Sequence, residues 1–236
     1  MNHSGKHRRR RSRVVGVISS PAELDFAICI AEPPDLFELR LDHLLRPPFE
    51  DGIVDRLETD ISKLAVPFVI TARHPVEGGA NRLSARQRRD LLLRFLPQAN
   101  YIDIELRSAP FFGSLLGVAR KQRVRLIISV HHLKTTPSRI RLRAQARTAK
   151  TYGADIFKVA TRTDTPAQLT RLIDFAAAGA VNIPVSAMGI GKLGLASRLL
   201  LASFGSPLVY VSLGQSGIEG QMSLEQFRAF GIVPPR

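Results

Sequence analysis

The 236-residue sequence predicts an α/β protein folded as a closed (β/α)8 TIM barrel of parallel strands. Three observations point there. Eight short apolar runs rich in β-branched residues recur at nearly regular spacing. Stretches of helical pattern separate them, and strands that alternate with helices pair in parallel through crossovers. Eight such units in about 220 residues is the size of a sheet closed on itself. An open, doubly wound sheet is the rival topology on the same pattern.

Taken in order, strands are expected near Val14–Ser19, Phe37–Asp42, Phe68–Arg73, Tyr101–Leu106, Arg125–His131, Ile156–Ala160, Pro184–Met188 and Leu208–Leu213. Helices are expected between them, among others over Ala22–Ala31, Ser84–Leu96, Ser138–Tyr152, Pro166–Ala177 and Ser197–Phe204. Ser84 and Ser138 stand where an N-cap hydroxyl accepts from a first-turn amide, and Pro166 takes a first-turn position that needs no N–H donor. No internal repeat or domain boundary interrupts the series, so residues 14–236 are read as a single catalytic domain.

With 44% hydrophobic and 23% charged residues the chain can bury a full core. No apolar run approaches the roughly 20 residues of a membrane span, so no membrane contact is expected. The single cysteine, Cys29, forbids an internal disulfide and a cysteine-based zinc cage. The expected setting is cytoplasmic. Of the net charge of +14, residues 1–13 carry +6 through Lys6, Arg8, Arg9, Arg10, Arg11 and Arg13, with no acid among them. Such a block is expected to be a disordered basic arm, able to touch nucleic acid or an anionic surface nonspecifically. It is not a secretory signal, because Val14 to Ile18 is too short for the apolar region and Gly16 interrupts it.

Side chains alternate faces along a strand, so the polar residues can be sorted. Glu38, Arg40 and Asp42 share one face of the second strand, Thr71 and Arg73 one face of the third, and Asp103 and Glu105 one face of the fourth. Ser129 and His131 share a face of the fifth, and Lys158 stands between Phe157 and Val159 in the sixth. An ordinary barrel fills its inward face with branched apolar residues, and barrel enzymes place polar groups at the strands' carboxyl ends. Five consecutive strands here follow the second pattern, although a buried ion network would use the same residues.

Lys158 is the most informative of them. Lysine is rarely buried unless paired, yet it lies within Ile156-Phe157-Lys158-Val159-Ala160. Burial disfavours an ammonium, and the neutral amine is the form that attacks a carbonyl to make a Schiff base. Arg40, Arg73 and Arg198 are expected to surround it with positive charge that pushes the same way. The alternative is a lysine that snorkels to the barrel rim. His131 and His132 are adjacent and point to opposite faces, so they cannot share an ion, and Asp103 and Glu105 lack a third ligand at a recognisable spacing. No metal and no cofactor is expected. Gly189, Gly191 and Gly194 imitate a dinucleotide fingerprint, but no acid follows about 20 residues later. The loop is read as flexible, with room for an anion at the following helix N-terminus beside Arg198.

Together these stretches resemble the type I 3-dehydroquinate dehydratases, Schiff-base (β/α)8 lyases of the shikimate pathway. The resemblance runs from about Val14 to Phe227 and rests on an ordered set: Glu38-Leu39-Arg40-Leu41-Asp42, Thr71-Ala72-Arg73 with Glu77-Gly78-Gly79, and Tyr101-Ile102-Asp103-Ile104-Glu105-Leu106. Ser129-Val130-His131, Asp155-Ile156-Phe157-Lys158-Val159-Ala160, Met188-Gly189, Ser197-Arg198 and Gly220-Gln221 continue it. The resemblance implies that Lys158 forms the imine, that His131 is the general acid/base and that Glu77 orients it. It implies that Arg198 and Gln221 hold the substrate carboxylate, that Glu38, Arg40 and Arg73 surround the ring hydroxyls, and that Met188 walls the pocket. It implies 3-dehydroquinate as substrate and a homodimer.

Two departures stand out. The stretch from Met188 to Ser197-Arg198 is about two residues longer than the family pattern. The usual Ser-Ala-Pro-Gly-Gln near the end is replaced by Gly217-Ile218-Glu219-Gly220-Gln221, which leaves neighbouring Ser216 as the candidate serine. Glu219, if it pointed inward, would bring negative charge beside a substrate carboxylate. His132 stands where an acid is common in the family. The remaining readings are another Schiff-base barrel such as a class I aldolase, a basic nucleic-acid-binding protein on an inactive barrel, and a dehydratase-like chain silenced by the altered loop.

Overall fold

The computed structural model describes residues 11–80, 82–178, 181–214 and 217–231. Its strands are β1 (Arg13–Ile18), β2 (Leu36–Arg40), β3 (Phe68–Thr71), β4 (Tyr101–Glu105), β5 (Arg125–His132), β6 (Ile156–Arg162), β7 (Val185–Ile190) and β8 (Leu208–Ser212). All neighbours run parallel, in the order β7-β6-β5-β4-β3-β2-β1-β8. The order follows the chain without the reversal of an open doubly wound sheet, and β8 returns to lie beside β1. Among the described residues no backbone ladder joins β7 to β8; the Ser186 hydroxyl donates to the Leu208 carbonyl across that seam at 2.7 Å. The chain is a (β/α)8 TIM barrel.

The helices are α1 (Pro21–Cys29), α2 (Leu41–Leu44), α3 (Asp51–Ile61), α4 (Ala85–Phe95), α5 (Gly113–Lys121), α6 (Arg139–Thr151), α7 (Pro166–Ala177), α8 (Gly194–Ser203) and α9 (Leu224–Ala229). Their starts follow from local chemistry. Ser84 and Gln87 form a reciprocal capping box at α4, as do Thr165 and Gln168 at α7, where Pro166 takes the first turn. The Ser138 hydroxyl accepts from the Arg141 amide at α6. Each such cap is worth about 1 kcal/mol. Among the described residues no helix is long and apolar enough to cross a membrane.

The alternation of side chains splits the core in two. Outward residues such as Phe37, Leu39, Ile70, Ile104, Ile128, Phe157 and Val159 pack beneath the helices. Inward residues Val15, Leu36, Val69, Tyr101, Ile127, Ile156 and Leu208 fill the lower barrel. Burial of each large apolar side chain contributes about 1.5–3 kcal/mol. Above this apolar floor the same strands turn polar on their inner face.

Most bounds shift from expectation by one or two residues, β3 ending at Thr71 and β6 and β7 running on to Arg162 and Ile190, and three differences have a clear local cause. β2 stops at Arg40, because Asp42 caps backbone amides of the neighbouring strand end and loop and turns Leu41–Leu44 into one helical turn. α8 begins at Gly194, and Ser197 lies inside its first turn, donating to the Gly194 carbonyl at 2.6 Å. The basic arm is shorter at its inner end than residues 1–13: Arg13 opens β1, and buried Ser12 donates to the Ala202 carbonyl at 3.1 Å. The rest of that expectation, residues 1–10, lies outside the described residues.

Candidate active site

At the carboxyl ends of the strands a cavity of about 350 Å³ opens into the barrel. Parallel register sets its floor: Thr71 is opposite Asp103, Glu105 opposite Ser129 and Ser129 opposite Lys158, all on the inner face. Lys158 is 3% exposed. Its Nζ donates to Glu38 Oε1 at 3.0 Å and Asp103 Oδ2 at 2.9 Å, and it lies 3.8 Å from the centre of the Tyr210 ring. Glu38 also accepts from the Thr71 hydroxyl at 2.9 Å.

Arg73 grips Asp103 with both terminal nitrogens, at 2.9 and 3.2 Å, and lies within 4 Å of Glu38 and Glu105. From α4, Arg88 donates to Glu105 at 2.8 Å. The expectation that Lys158 sits amid positive charge is corrected here. Arg73 is close, but Lys158, Arg73 and Arg88 are interleaved with Glu38, Asp103 and Glu105, so the floor is an ion network of alternating sign. Burial alone would raise the Asp103 carboxyl, but Arg73 and Lys158 outweigh it and hold it far below the usual range. Arg40 is likewise matched, by two hydrogen bonds to Asp42 at 3.0 and 2.7 Å.

His131 closes one wall. Its Nδ1 is 3.0 Å from Glu77 Oε2, and its backbone N–H donates to the same oxygen at 2.9 Å. Glu77 reaches this position from a tight turn, Pro75–Glu77, that ends on Gly78 with φ +87°. At the next residue, Gly79, a Cβ would fall 2.1 Å from the Arg73 carbonyl oxygen, so the turn can fold only around glycine. Burial, then the charges of Arg73 and Lys158, hold the His131 imidazole well below its usual range, hence neutral near pH 7. Burial also pushes the Glu77 carboxyl up to about 7, with Arg73 pulling the other way. An ionised Glu77 accepts the Nδ1–H and leaves Nε2 as the basic nitrogen.

The opposite wall holds Arg198, 4% exposed, whose Nη1 donates to the Tyr210 carbonyl at 2.9 Å. Among the described residues no carboxylate pairs with it and its Nε finds no hydrogen-bond partner. Burial lowers it to about 10, which leaves it cationic at neutral pH. A buried cation without an anion is costly unless a ligand supplies one.

The loop after β8 forms the roof. Gln221 and Gly217 to Glu219 line the cavity, as does Met188 from β7. Glu219 pairs with Arg162 at 2.9 Å, so its charge is matched by a cation in the same roof. Of the three glycines that imitate a dinucleotide cradle, Gly191 and Gly194 serve this roof instead, while Gly189 packs against Ser197. The Gly191 N–H donates to the Glu219 carbonyl at 2.9 Å, and a Cβ on Gly220 would lie 2.7 Å from the Gly194 Cα. Backbone meets backbone there, which only glycines permit. His132 turns away from His131, its Nε2 3.0 Å from Gln145 Oε1. Among the described residues no group of three His, Cys, Asp or Glu side chains could hold a metal ion.

Nine expected site residues thus converge: Lys158, His131, Glu77, Glu38, Arg40, Arg73, Met188, Arg198 and Gln221. Ser216 lies outside the described residues. Three contributors lay outside the expected set. Asp103 was sorted onto the inner face but given no part. Asp42 fixes Arg40 from a helical turn. Tyr210 stacks on the lysine, and alternation with Leu208 and Ser212 was the available signal for it.

Residues 17–230 match the family described as Type I 3-dehydroquinase. The chain is 31% identical over 204 residues to a 3-dehydroquinate dehydratase of Thermodesulfovibrio yellowstonii, covering 84% of this chain and 86% of that one. It is 34% identical over 195 residues to that of Methanothermobacter thermautotrophicus, covering 82% of each. The crystal structure of the 3-dehydroquinate dehydratase from Aquifex aeolicus superposes with a TM-score of 0.79 at 26% identity, covering 93% of this chain and 97% of that one. A barrel of this shape, matched along nearly its whole length, is an enzyme of the type I 3-dehydroquinase family.

Proposed function

We propose that the chain dehydrates 3-dehydroquinate to 3-dehydroshikimate, a step of the shikimate pathway, through an imine on Lys158. The observation that carries this reading is the placement of a buried amine, a neutral histidine and an unmatched arginine around one cavity. Arg198 takes the substrate carboxylate, supplying the anion that its burial lacks, and Gln221 closes over it. That contact orients the ring with its C3 ketone toward Lys158.

Nζ gives up a proton to the neutral imidazole of His131 and attacks C3. His131 returns that proton to the former ketone oxygen, which takes a second one from the nitrogen and leaves as water, so that an iminium forms and the imidazole is neutral again. His131 Nε2 then removes a proton from C2, and the C–H electrons move into the iminium to give an enamine. As those electrons return, the C1–O bond breaks and His131 gives its proton to the departing hydroxyl. Hydrolysis of the new iminium releases product and restores the amine. A positioned histidine is worth roughly 10²–10⁴-fold in such transfers. Glu38 and Asp103 stabilise each cationic nitrogen on the path, and Glu77 stabilises the imidazolium.

Borohydride reduction in the presence of 3-dehydroquinate, followed by mass spectrometry, tests the reading. A stable adduct is expected on Lys158 and none in Lys158→Ala. Turnover of 3-dehydroquinate without a trappable adduct removes the imine from the account.

A further inference from the structure

The opposite end of the barrel carries a second, larger cavity of about 660 Å³. It lies under the starts of β1 and β5 to β8, beside the β7–β8 seam, and one wall is cationic. Arg13 and Arg125 occupy inward positions at the starts of β1 and β5, in register with Leu208 and Tyr101 respectively. Their guanidinium carbons both lie 5.1 Å from the centre of the Tyr101 ring, and Arg125 donates to the Tyr101 hydroxyl at 2.7 Å. Arg11 joins them on the rim. The facing wall is apolar, with Phe175 from α7, and Phe204 and Pro207 from the connection between α8 and β8.

These three cations are poorly matched. Arg125 is 3.9 Å from Asp155, and Arg11 is 3.8 Å from Asp35, both beyond hydrogen-bond distance. Arg13 makes no ion pair among the described residues. The amino-terminal end of a barrel serves stability, and the reaction runs at the other end. Arg13 and Arg125 gain the Tyr101 contacts there, but like charges gathered around one cavity repel one another. An anion between them removes the repulsion, and guanidinium is the side chain suited to carboxylates and phosphates. A flat apolar body would cover Phe204, which is 49% exposed. The volume falls in the range of small-molecule sites, roughly 300–1,000 Å³. The charge of the occupant must be negative, which the all-basic charged side chains of residues 1–10 do not supply.

We propose that the amino-terminal end of the barrel holds a second binding site, for an organic anion with an aromatic body, built by Arg11, Arg13 and Arg125 against Phe175, Phe204 and Pro207. The chain has no tryptophan, so the fluorescence of 2-naphthoate can report binding to the full-length protein. The ligand is expected to bind one per chain. Its affinity should exceed that of neutral 2-naphthylmethanol, and that of inorganic phosphate, by at least about tenfold, the worth of one charge-assisted contact. Arg13→Gln and Arg125→Gln are each expected to weaken it about tenfold, and Phe204→Ala several-fold. Lys158→Ala and Arg198→Ala leave it unchanged, which separates this site from the catalytic cavity whatever reaction occurs there. Should loss of the Tyr101 contacts unfold Arg125→Gln, the exposed positions in Arg11→Gln and Phe204→Ala still carry the test. Equal affinity for the neutral alcohol, indifference to the arginines, loss of binding in Arg198→Ala, or no binding at millimolar naphthoate overturns the proposal.

Discussion

Replacing Glu77 with glutamine separates stability from activity at one residue. In the folded protein the Glu77 carboxyl is raised from 4.5 to about 7, chiefly by burial. A carboxyl raised in this way binds its proton more tightly folded than unfolded. Its contribution to stability is therefore complete below pH 4.5 and is lost as the pH rises through about 7. At about 1.4 kcal/mol for each pH unit, the loss comes to about 3 kcal/mol. Glutamine does not titrate, so Glu77→Gln escapes the loss. Relative to wild type the variant should gain about 3 kcal/mol between pH 4 and pH 8, or roughly 6–12 °C in midpoint for a chain of this size. Urea or thermal unfolding of both proteins at several pH values measures the difference directly. The same variant loses the anion that steadies protonated His131, so kcat should fall on the order of 10–100-fold, the worth of a hydrogen bond to a charged group. Stability curves that stay parallel from pH 4 to pH 8 would refute the assignment of a raised Glu77 carboxyl.

Other outcomes follow from the same contacts. The acid limb of the wild-type kcat profile should fall near pH 7, where Glu77 gains its proton, and that limb should vanish in Glu77→Gln; a limb unchanged in the variant assigns it elsewhere. Lys158→Ala removes the cation that touches both Glu38 and Asp103, so turnover should be lost and stability should drop by about 3–5 kcal/mol in urea unfolding. Arg198→Ala should raise KM for 3-dehydroquinate 10–100-fold while leaving stability equal or higher, because no carboxylate among the described residues loses its partner. Glu219→Gln breaks a half-exposed pair with Arg162, and kcat/KM should change by less than about fivefold.

The sequence by itself determined what is local. Period-two alternation sorted Glu38, Arg40, Thr71, Arg73, Asp103, Glu105, Ser129, His131 and Lys158 onto one side of their strands, and side-chain caps placed the starts of α4, α6 and α7. The regular spacing of units carried the barrel, since seven successive crossovers of one hand bring the last strand back beside the first. Tertiary structure decided which charges face which. Lys158 meets Glu38 across 120 positions and Asp103 across 55, and nothing in a single strand reveals that its neighbours are carboxylates rather than the arginines nearby in sequence pattern. It also decided that Glu219 turns to Arg162, that Tyr210 lies against the amine, and that three arginines gather at the far end. Alternation fixes a side chain's face through backbone geometry alone, whereas its partner depends on register and closure, which many distant contacts set together.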